Sequence, residues 1–206
     1  MWWREVLSLR DRVVAQVTAG PVLIDHTAIV ESGAMLDDSV GPIAIGAGTR
    51  ICSGAVLRGP LEIGCDCLIG NMAILRGPTI IGDRVRIGFA SEVKQALIGD
   101  RVSIGPQCFV ADSRLDADAY LGAQVRTSNQ RLDRAPISVR DGTGEVATGS
   151  DKLGCWIGSG ASLGIQVIIL PGRVIAPNSI FEPRITISRN HPTGHYRARQ
   201  EVELVN

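Results

Sequence analysis

Three cationic side chains recur at a constant interval in the first half of the chain. Arg58, Arg76 and Lys94 are eighteen residues apart, and each directly follows an aliphatic residue. In a fold that repeats with this period they would stack in one column, roughly 5 Å apart, where each adjacent pair repels by about 1 kcal/mol even in water. A bound anion would relieve that repulsion, so the column predicts an anion site. The alternative is a solvated face on which Glu62, Glu92 or solvent absorbs the charge.

Side chains that could take a proton near neutral pH are scarce. The histidines are His26, His191 and His195. For His26 we expect a structural or surface role, whereas His191 and His195 flank a turn from which the tail of a neighbouring subunit could deliver one of them to a site. Asp112 could act as a weak base or orient an amine if burial raises the pKa of its carboxyl group, or it could be a bend residue. The sequence therefore indicates anion-binding groups more clearly than a general base.

The cysteines predict neither disulfides nor a metal site. Five cysteines are an odd number without a framework spacing, which favours reduced thiols and a cytoplasmic location. Cys65 and Cys67 offer two thiols, whereas a structural zinc needs four ligands. Cys108 falls at an inward position of the repeat. We therefore expect packing roles and no required metal.

The elements that position these side chains follow from pairs of an aliphatic residue and glycine. Ile45-Gly46, Ile63-Gly64 and Ile81-Gly82 are eighteen residues apart, and Leu-Arg-Gly-Pro starts at Leu57 and again at Leu75. The leading and fifth residues of each hexapeptide point inward, and three hexapeptides complete one triangular coil. The pattern predicts an all-β fold, a parallel β-helix. Five-residue steps at 93–97 and 110–114 shorten the period to seventeen and predict a bend or a site.

Breaks in the repeat predict the boundaries of the domain. Residues 1–20 read as an amphipathic helical cap that covers an end of the stack, and residues 21–183 as the β-helix. The pattern disappears within 127–152, which predicts an extruded loop, either a flap or a disordered segment. Residues 184–206 read as a C-terminal hairpin or tail.

Composition limits the partners. The 21 basic and 21 acidic side chains cancel, so no global positive field gathers nucleic acid or an anionic membrane. The chain has no run of eighteen or more apolar residues of the kind that a membrane span needs. We therefore expect one domain that binds neither nucleic acid nor membranes.

The run from Leu75 to Lys152 resembles a known family. Its motifs are Leu75-Arg76, Glu92-Val93-Lys94, Val110-Ala111-Asp112-Ser113, Ser128-Asn129, and Lys152 five residues before an aliphatic-glycine pair. In order and spacing they resemble the acetyltransferase domain at the C-terminus of sugar-1-phosphate nucleotidyltransferases, a glucosamine-1-phosphate N-acetyltransferase.

The resemblance implies a left-handed coil, although most crossovers between parallel strands are right-handed. It also implies a homotrimer with sites between subunits and an acyl-CoA thioester, such as acetyl-CoA, carried by the later coils. By resemblance, Arg76 and Lys94 grip the phosphate and sugar of the acceptor, and Asn129 and Lys152 line the acceptor pocket.

Three positions depart from the family pattern. Pro106 stands where the family has its catalytic His, Phe109 where it has a Tyr, and Tyr120 where it has an Asn. The first hypothesis is an acyl-CoA-dependent N-acyltransferase that acts on an amino sugar phosphate or related phosphorylated amine. The alternative is a catalytically inactive trimer that binds sugar phosphates and supports or regulates a separate nucleotidyltransferase. A γ-class carbonic anhydrase would need zinc-binding histidines at spacings that the three histidines do not provide.

Overall fold

The eighteen-residue repeat folds into triangular coils that stack as a left-handed parallel β-helix, as the sequence predicts. The structure is a computed structural model, and it describes residues 1–16, 22–141 and 144–199. Each coil contributes one short strand to each of three parallel sheets, so the backbone groups of one coil are paired by the next. None of the described helices is long and apolar enough to cross a bilayer.

The strands of each sheet follow one another along the stack. The first sheet contains β1 (Val22–Ile24), β4 (Ile43–Ile45), β7 (Leu61–Ile63), β10 (Thr79–Ile81), β13 (Leu97–Ile98), β16 (Arg114–Leu115), β21 (Trp156–Ile157) and β24 (Val174–Ile175). The second contains β2 (Ile29–Val30), β5 (Arg50–Ile51), β8 (Leu68–Ile69), β11 (Arg86–Ile87), β14 (Ser103–Ile104), β17 (Tyr120–Leu121), β22 (Ser162–Leu163), β25 (Ile180–Phe181) and β27 (His195–Tyr196). The third contains β3 (Met35–Asp37), β6 (Val56–Arg58), β9 (Ile74–Arg76), β12 (Glu92–Lys94), β15 (Phe109–Ala111), β18 (Arg126–Thr127), β23 (Ile168–Ile169) and β26 (Thr186–Ile187).

The core is a narrow column of aliphatic side chains. Ile45, Ile63 and Ile81 lie in register in the first sheet and are all buried. Glycine follows many of these residues because adjacent coils approach closely: a Cβ on Gly70 would lie 2.7 Å from the carbonyl oxygen of Ile87. The low aromatic content of the sequence fits a core of this width.

Two coils are one residue shorter than the rest, as the five-residue steps predict. Ile81, Ile98 and Leu115 are paired across neighbouring strands although they are only seventeen residues apart. The short corners are turned at Gln95 and Asp112, which have φ angles of 45° and 50°. Asp112 therefore occupies a tight corner between the third sheet and the first.

The segment between β18 and β21 leaves the β-helix without disturbing its register. Leu115 still pairs with Ile157 across this interruption. The segment contains an antiparallel hairpin of β19 (Ser138–Asp141) and β20 (Gly144–Ala147), in which Val139 faces Val146. It is therefore not the structureless polar insertion that the loss of the hexapeptide pattern suggests.

The N-terminal residues form two short helices, α1 (Trp2–Leu7) and α2 (Leu9–Gln16). They pack against the outer face of the first sheet, where Ile80 and Leu97 offer an apolar surface, and not over the first coil. The placement differs from the predicted cap because burying tryptophan side chains needs a broad apolar face, which a coil edge does not provide. Leu23 in the first coil is half exposed.

The described part of the C-terminal segment returns to the stack as a parallel strand. β27 pairs with β25, and Tyr196 stacks on Phe181 with ring centroids 4.6 Å apart. This segment covers the end of the core. Residues 200–206, the rest of the predicted hairpin or tail, lie outside the described residues.

Candidate functional site

The predicted cationic column is present on the third sheet. Arg58, Arg76 and Lys94 are paired in register at the ends of β6, β9 and β12, so their side chains lie on one face of the sheet. Asp37 occupies the same row one coil earlier. The column geometry that the eighteen-residue spacing predicts is therefore confirmed.

Each cation of the column already has a carboxylate partner. Arg58 Nε lies 3.7 Å from Asp37 Oδ2, Arg76 Nε donates to Glu92 Oε1 at 2.9 Å, and Lys94 Nζ lies 3.0 Å from Asp112 Oδ2. Carboxylates of the protein itself thus reduce the repulsion within the column. For Arg76 the partner is Glu92, as the alternative of a face neutralised by glutamate predicts. Glu62, also considered for that role, lies on the first sheet beside Ile80.

Lys94, Asp112 and Asn129 form one cluster around a buried carboxylate, which we call the Lys94 cluster. The side chain of Asp112 is 1% exposed; its Oδ2 forms an ion pair with Lys94 Nζ at 3.0 Å and accepts a hydrogen bond from Asn129 Nδ2. The tight corner at Asp112 turns this carboxylate toward Lys94 of the preceding coil. Asp112 therefore orients a cation and an amide, and we describe it as a positioning residue and not as a free base.

Lys152 lies beside this cluster at the base of the extruded segment. The amide of Leu153 donates to the carbonyl oxygen of Asn129 at 3.0 Å, which brings the two ends of the segment together. Lys152 Nζ donates to Gln130 Oε1 at 2.6 Å. The structure therefore brings together the predicted residues Lys94, Asp112, Asn129 and Lys152, whereas Arg58 and Arg76 lie in earlier coils.

The histidines lie away from the Lys94 cluster within one chain. His191 packs against Phe181 and Tyr196 at the end of the stack, with ring centroids 5.9 and 5.0 Å away. His195 Nε2 lies 3.0 Å from Glu182 Oε1. The side chain of His26 is 90% exposed in the first coil. Delivery of His191 or His195 by a neighbouring subunit remains a prediction.

A cavity of about 580 Å³ lies under the extruded hairpin and continues the row of the column. Ser128, Leu170 and Ser188 directly follow β18, β23 and β26 and line its floor. Arg173 projects into this hairpin cavity while donating to the carbonyl oxygens of Pro171 and Ser188, at 3.0 and 3.4 Å. Burial lowers the pKa of Arg173 from its ordinary value, an effect that Glu145 opposes.

A second cationic site, which the repeat pattern did not reveal, lies on the other edge of the third sheet. This arginine groove has a volume of about 400 Å³. Arg126 donates to the carbonyl oxygen of Gln107 at 2.7 Å, and Arg184 donates to the side-chain oxygen of Gln166 at 3.1 Å. Among the residues that the structure describes, none lining the groove is a carboxylate; the lining is Gln124, Arg126, Gln166, Ile168, Arg184 and Thr186.

A ladder of amide side chains supports Arg184 in this groove. Gln124 donates to Gln107 at 3.0 Å, and Gln166 donates to Gln124 at 2.8 Å. These glutamines occupy the same turn of successive coils, each with a φ angle near 60°. The sequence signal that could have revealed the groove is the spacing of Gln166 and Arg184, which are eighteen residues apart like the members of the cationic column.

The Lys94 cluster and the arginine groove share the outer face of the third sheet. Glu92, Phe109 and Arg126 are paired in register across β12, β15 and β18. Two strand spacings, roughly 10 Å, therefore separate the coil of Lys94 from that of Arg126. Within the described ranges, no group of three or more His, Cys, Asp or Glu side chains is placed to hold a metal ion.

No family model matches the chain. Two curated relatives, both named uncharacterized acetyltransferase YaiX, come from Escherichia coli K12 and Escherichia coli O6:K15:H31 (strain 536 / UPEC). Each is 58% identical over 168 residues, which span 82% of this chain and 73% of the relative. The chain belongs to the YaiX acetyltransferase family. It is thus an acyltransferase, as the motif resemblance predicts.

The fold of this YaiX-family chain is also that of a solved acyltransferase. The UDP-N-acetylglucosamine acyltransferase of Arabidopsis superposes with a TM-score of 0.51 over 86% of this chain and 69% of that chain, at 13% identity. At this identity the likeness concerns the fold alone. The finer resemblance to the domain attached to sugar-1-phosphate nucleotidyltransferases stays a prediction for this YaiX-family member.

Proposed function

We propose that the protein transfers an acyl group from an acyl-CoA, such as acetyl-CoA, to the amino group of an amino sugar phosphate or a related phosphorylated amine. One observation carries the proposal: the Lys94 cluster and the arginine groove lie on the same face of the third sheet, roughly two strand spacings apart. Transfer between two bound molecules requires such proximity.

The arginine groove is suited to the acyl donor. Coenzyme A carries several phosphate groups, and guanidinium groups bind phosphate through paired hydrogen bonds. Arg126 and Arg184 are bound at one side to uncharged oxygen atoms, which leaves their charge available to a ligand. Ile168, 40% exposed between them, offers apolar contact to the pantetheine arm.

The hairpin cavity is suited to the acceptor. Its volume falls in the range of small-molecule sites, and Gln130, which holds Lys152, is part of its wall. Arg173, whose guanidinium group donates to carbonyl oxygens, supplies positive charge for a phosphate group, whereas Arg131 is paired with Asp133. We place the phosphate here and not at Arg58 or Arg76, whose guanidinium groups are already paired with carboxylates.

The reaction would join the acceptor nitrogen to the carbonyl carbon of the thioester and break the carbon–sulfur bond. The amine loses a proton, and the thiolate of coenzyme A leaves and is protonated. Lys94 and Asn129 can donate hydrogen bonds to the oxyanion that develops. An acceptor amine with a low pKa is neutral near pH 7 and needs less help from a base.

A homotrimer is part of the proposal. Met72, Ile74 and Phe89 are 57%, 38% and 52% exposed at the corner between the second and third sheets. An apolar patch of this kind is typical of a protein interface. Association there would enclose the outer face of the third sheet, and a molar mass of three chains in light scattering would support it.

The test is calorimetric titration with acetyl-CoA and then with glucosamine 1-phosphate, followed by assay of the mixture for free thiol. Binding of both ligands with thiol release is the expected result. Sugar-phosphate binding without coenzyme A binding would favour the inactive, regulatory trimer. The presence of Pro106 and Phe109 at the family's catalytic positions is the observation in favour of that alternative.

A further inference from the structure

A second hydrophobic core joins the N-terminal helices to the extruded hairpin. Trp3, Val6 and Leu9 from the helices are at most 4% exposed, and they pack with Ile137 and Val139 of the hairpin side, each 1% exposed. This second core lies on the outer face of the first sheet and is separate from the column inside the coils. The helices and the hairpin therefore bury each other.

The hairpin depends on this contact for its position. β19 and β20 have four residues each, and an isolated two-stranded hairpin is marginally stable in water. Its described backbone bonds to the rest of the extruded segment lie at its base, where Ile137 donates to Ser150 at 2.8 Å. Burial of Val139 in the second core with α1 holds the rest of the hairpin, in addition to the close approach of Ile137 and Ser138 to Gly172 of the β-helix.

The helix α1 reaches both sides of the Lys94 cluster. Glu5 accepts two hydrogen bonds from Arg114 Nη1, at 2.8 and 2.9 Å, and Arg114 is two residues after Asp112. Leu153, fully buried in the second core, directly follows Lys152. The helix α1 therefore contacts the chain on both sides of the cluster, through Arg114 and through Leu153.

We propose that α1 is a clamp that holds the extruded hairpin as a fixed wall of the acceptor cavity, with Trp3 as its main positioning residue. The clamp sets the position of Asn129 and Lys152 through the hairpin base. This inference rests on the proposed function for its kinetic consequence, but the mechanical contact can be tested without any activity.

The test compares Trp3→Ala and the milder Val6→Ala with Ile51→Ala, which opens a cavity in the main core far from the hairpin. Hydrogen exchange of the full-length protein should become faster in β19 and β20 of the first two variants, with the β-helix strands unchanged. Ile51→Ala should leave the hairpin protected. Equal hairpin exchange in Trp3→Ala, Val6→Ala and wild type would overturn the clamp.

A kinetic readout separates positioning from general stability. Trp3→Ala should raise the KM for glucosamine 1-phosphate by about tenfold and leave the KM for acetyl-CoA unchanged, because the arginine groove lies at the other corner. In Trp3→Phe, which keeps an aromatic ring, the KM for glucosamine 1-phosphate should stay close to that of the wild type. Equal changes in both KM values would contradict the positioning role. If the wild-type protein transfers no acyl group, the proposed function fails while the exchange measurement still decides the clamp.

Discussion

Lys94 Nζ lies 3.0 Å from Asp112 Oδ2, in a pair whose acidic member is 1% exposed and whose basic member is 22% exposed. Burying a carboxylate this far from solvent is costly unless polar partners lie beside it. Two such partners lie beside Oδ2 of Asp112, the ammonium group of Lys94 and the side-chain amide of Asn129. The pair links the third sheet to the base of the extruded segment.

Removing the cation alone should strongly destabilise the protein. Lys94→Met leaves the Asp112 carboxylate buried with one amide donor, and we expect a loss of about 3 kcal/mol in the free energy of unfolding by urea. Lys94→Met combined with Asp112→Asn should recover part of it, because asparagine is neutral and tolerates the φ angle of 50°. Additive effects of the two substitutions would contradict a direct pair.

Neutralising the arginine groove should weaken donor binding without affecting folding. Arg126→Gln and Arg184→Gln should each raise the KM for acetyl-CoA by about tenfold, because each loses a charged contact to phosphate. The matched control is Arg101→Gln, an exposed arginine paired with Asp118 in another corner. A similar KM change in the control would indicate a general charge effect, and steady-state kinetics with unchanged melting temperatures would support the groove.

Cys155 should make folding sensitive to alkaline pH. Burial raises the pKa of its thiol from 9.0 to about 12, with Ser113 opposing the shift. The folded state therefore keeps the proton that the unfolded state releases above pH 9, so stability is complete below pH 9 and falls as the pH rises toward 12. In this range the free energy of unfolding falls by about 1.4 kcal/mol per pH unit. Cys155→Ala should flatten this part of a stability–pH curve, and an unchanged slope would assign the loss to other groups.

The close approach of the coils should make certain glycines irreplaceable. In Gly70→Ala the new methyl group would lie 2.7 Å from the backbone oxygen of Ile87, and we expect a loss of about 2 kcal/mol. Gly194→Ala is the control, because its methyl group would meet the Tyr196 side chain at 3.1 Å. Thermal unfolding of both variants checks this, and equal losses would show that contact with the Ile87 carbonyl oxygen is not the cause.

The fold was predictable because its rule is periodic and local. The spacing of Ile45, Ile63 and Ile81 fixes the inward face, and the pairing of Arg58, Arg76 and Lys94 follows from the same period. The shortened coils were visible as five-residue steps. The position of α1 was not visible, since an amphipathic helix indicates that a face will be buried but not which surface will cover it.

The site was only partly predictable for a related reason. Asn129 and Lys152 were found through their motif, yet their proximity to Asp112 depends on closure of the extruded segment by Leu153. The partners of the column come from other coils or corners, so spacing alone did not show that Asp37 and Asp112 neutralise Arg58 and Lys94. Arg126 and Arg184 were missed because their significance lies in the lack of an acidic neighbour among the described residues.

The uninterrupted pairing of Leu115 with Ile157 has an evolutionary consequence. Because the ladder closes across the departure point of the extruded segment, that corner can accept insertions and deletions while every coil keeps its partner. The hairpin cavity could thus diverge between paralogues while the arginine groove, built from the repeat itself, stays under the constraint of the stack. Under the proposed assignment of acceptor and donor, the two binding sites can therefore evolve as separate modules.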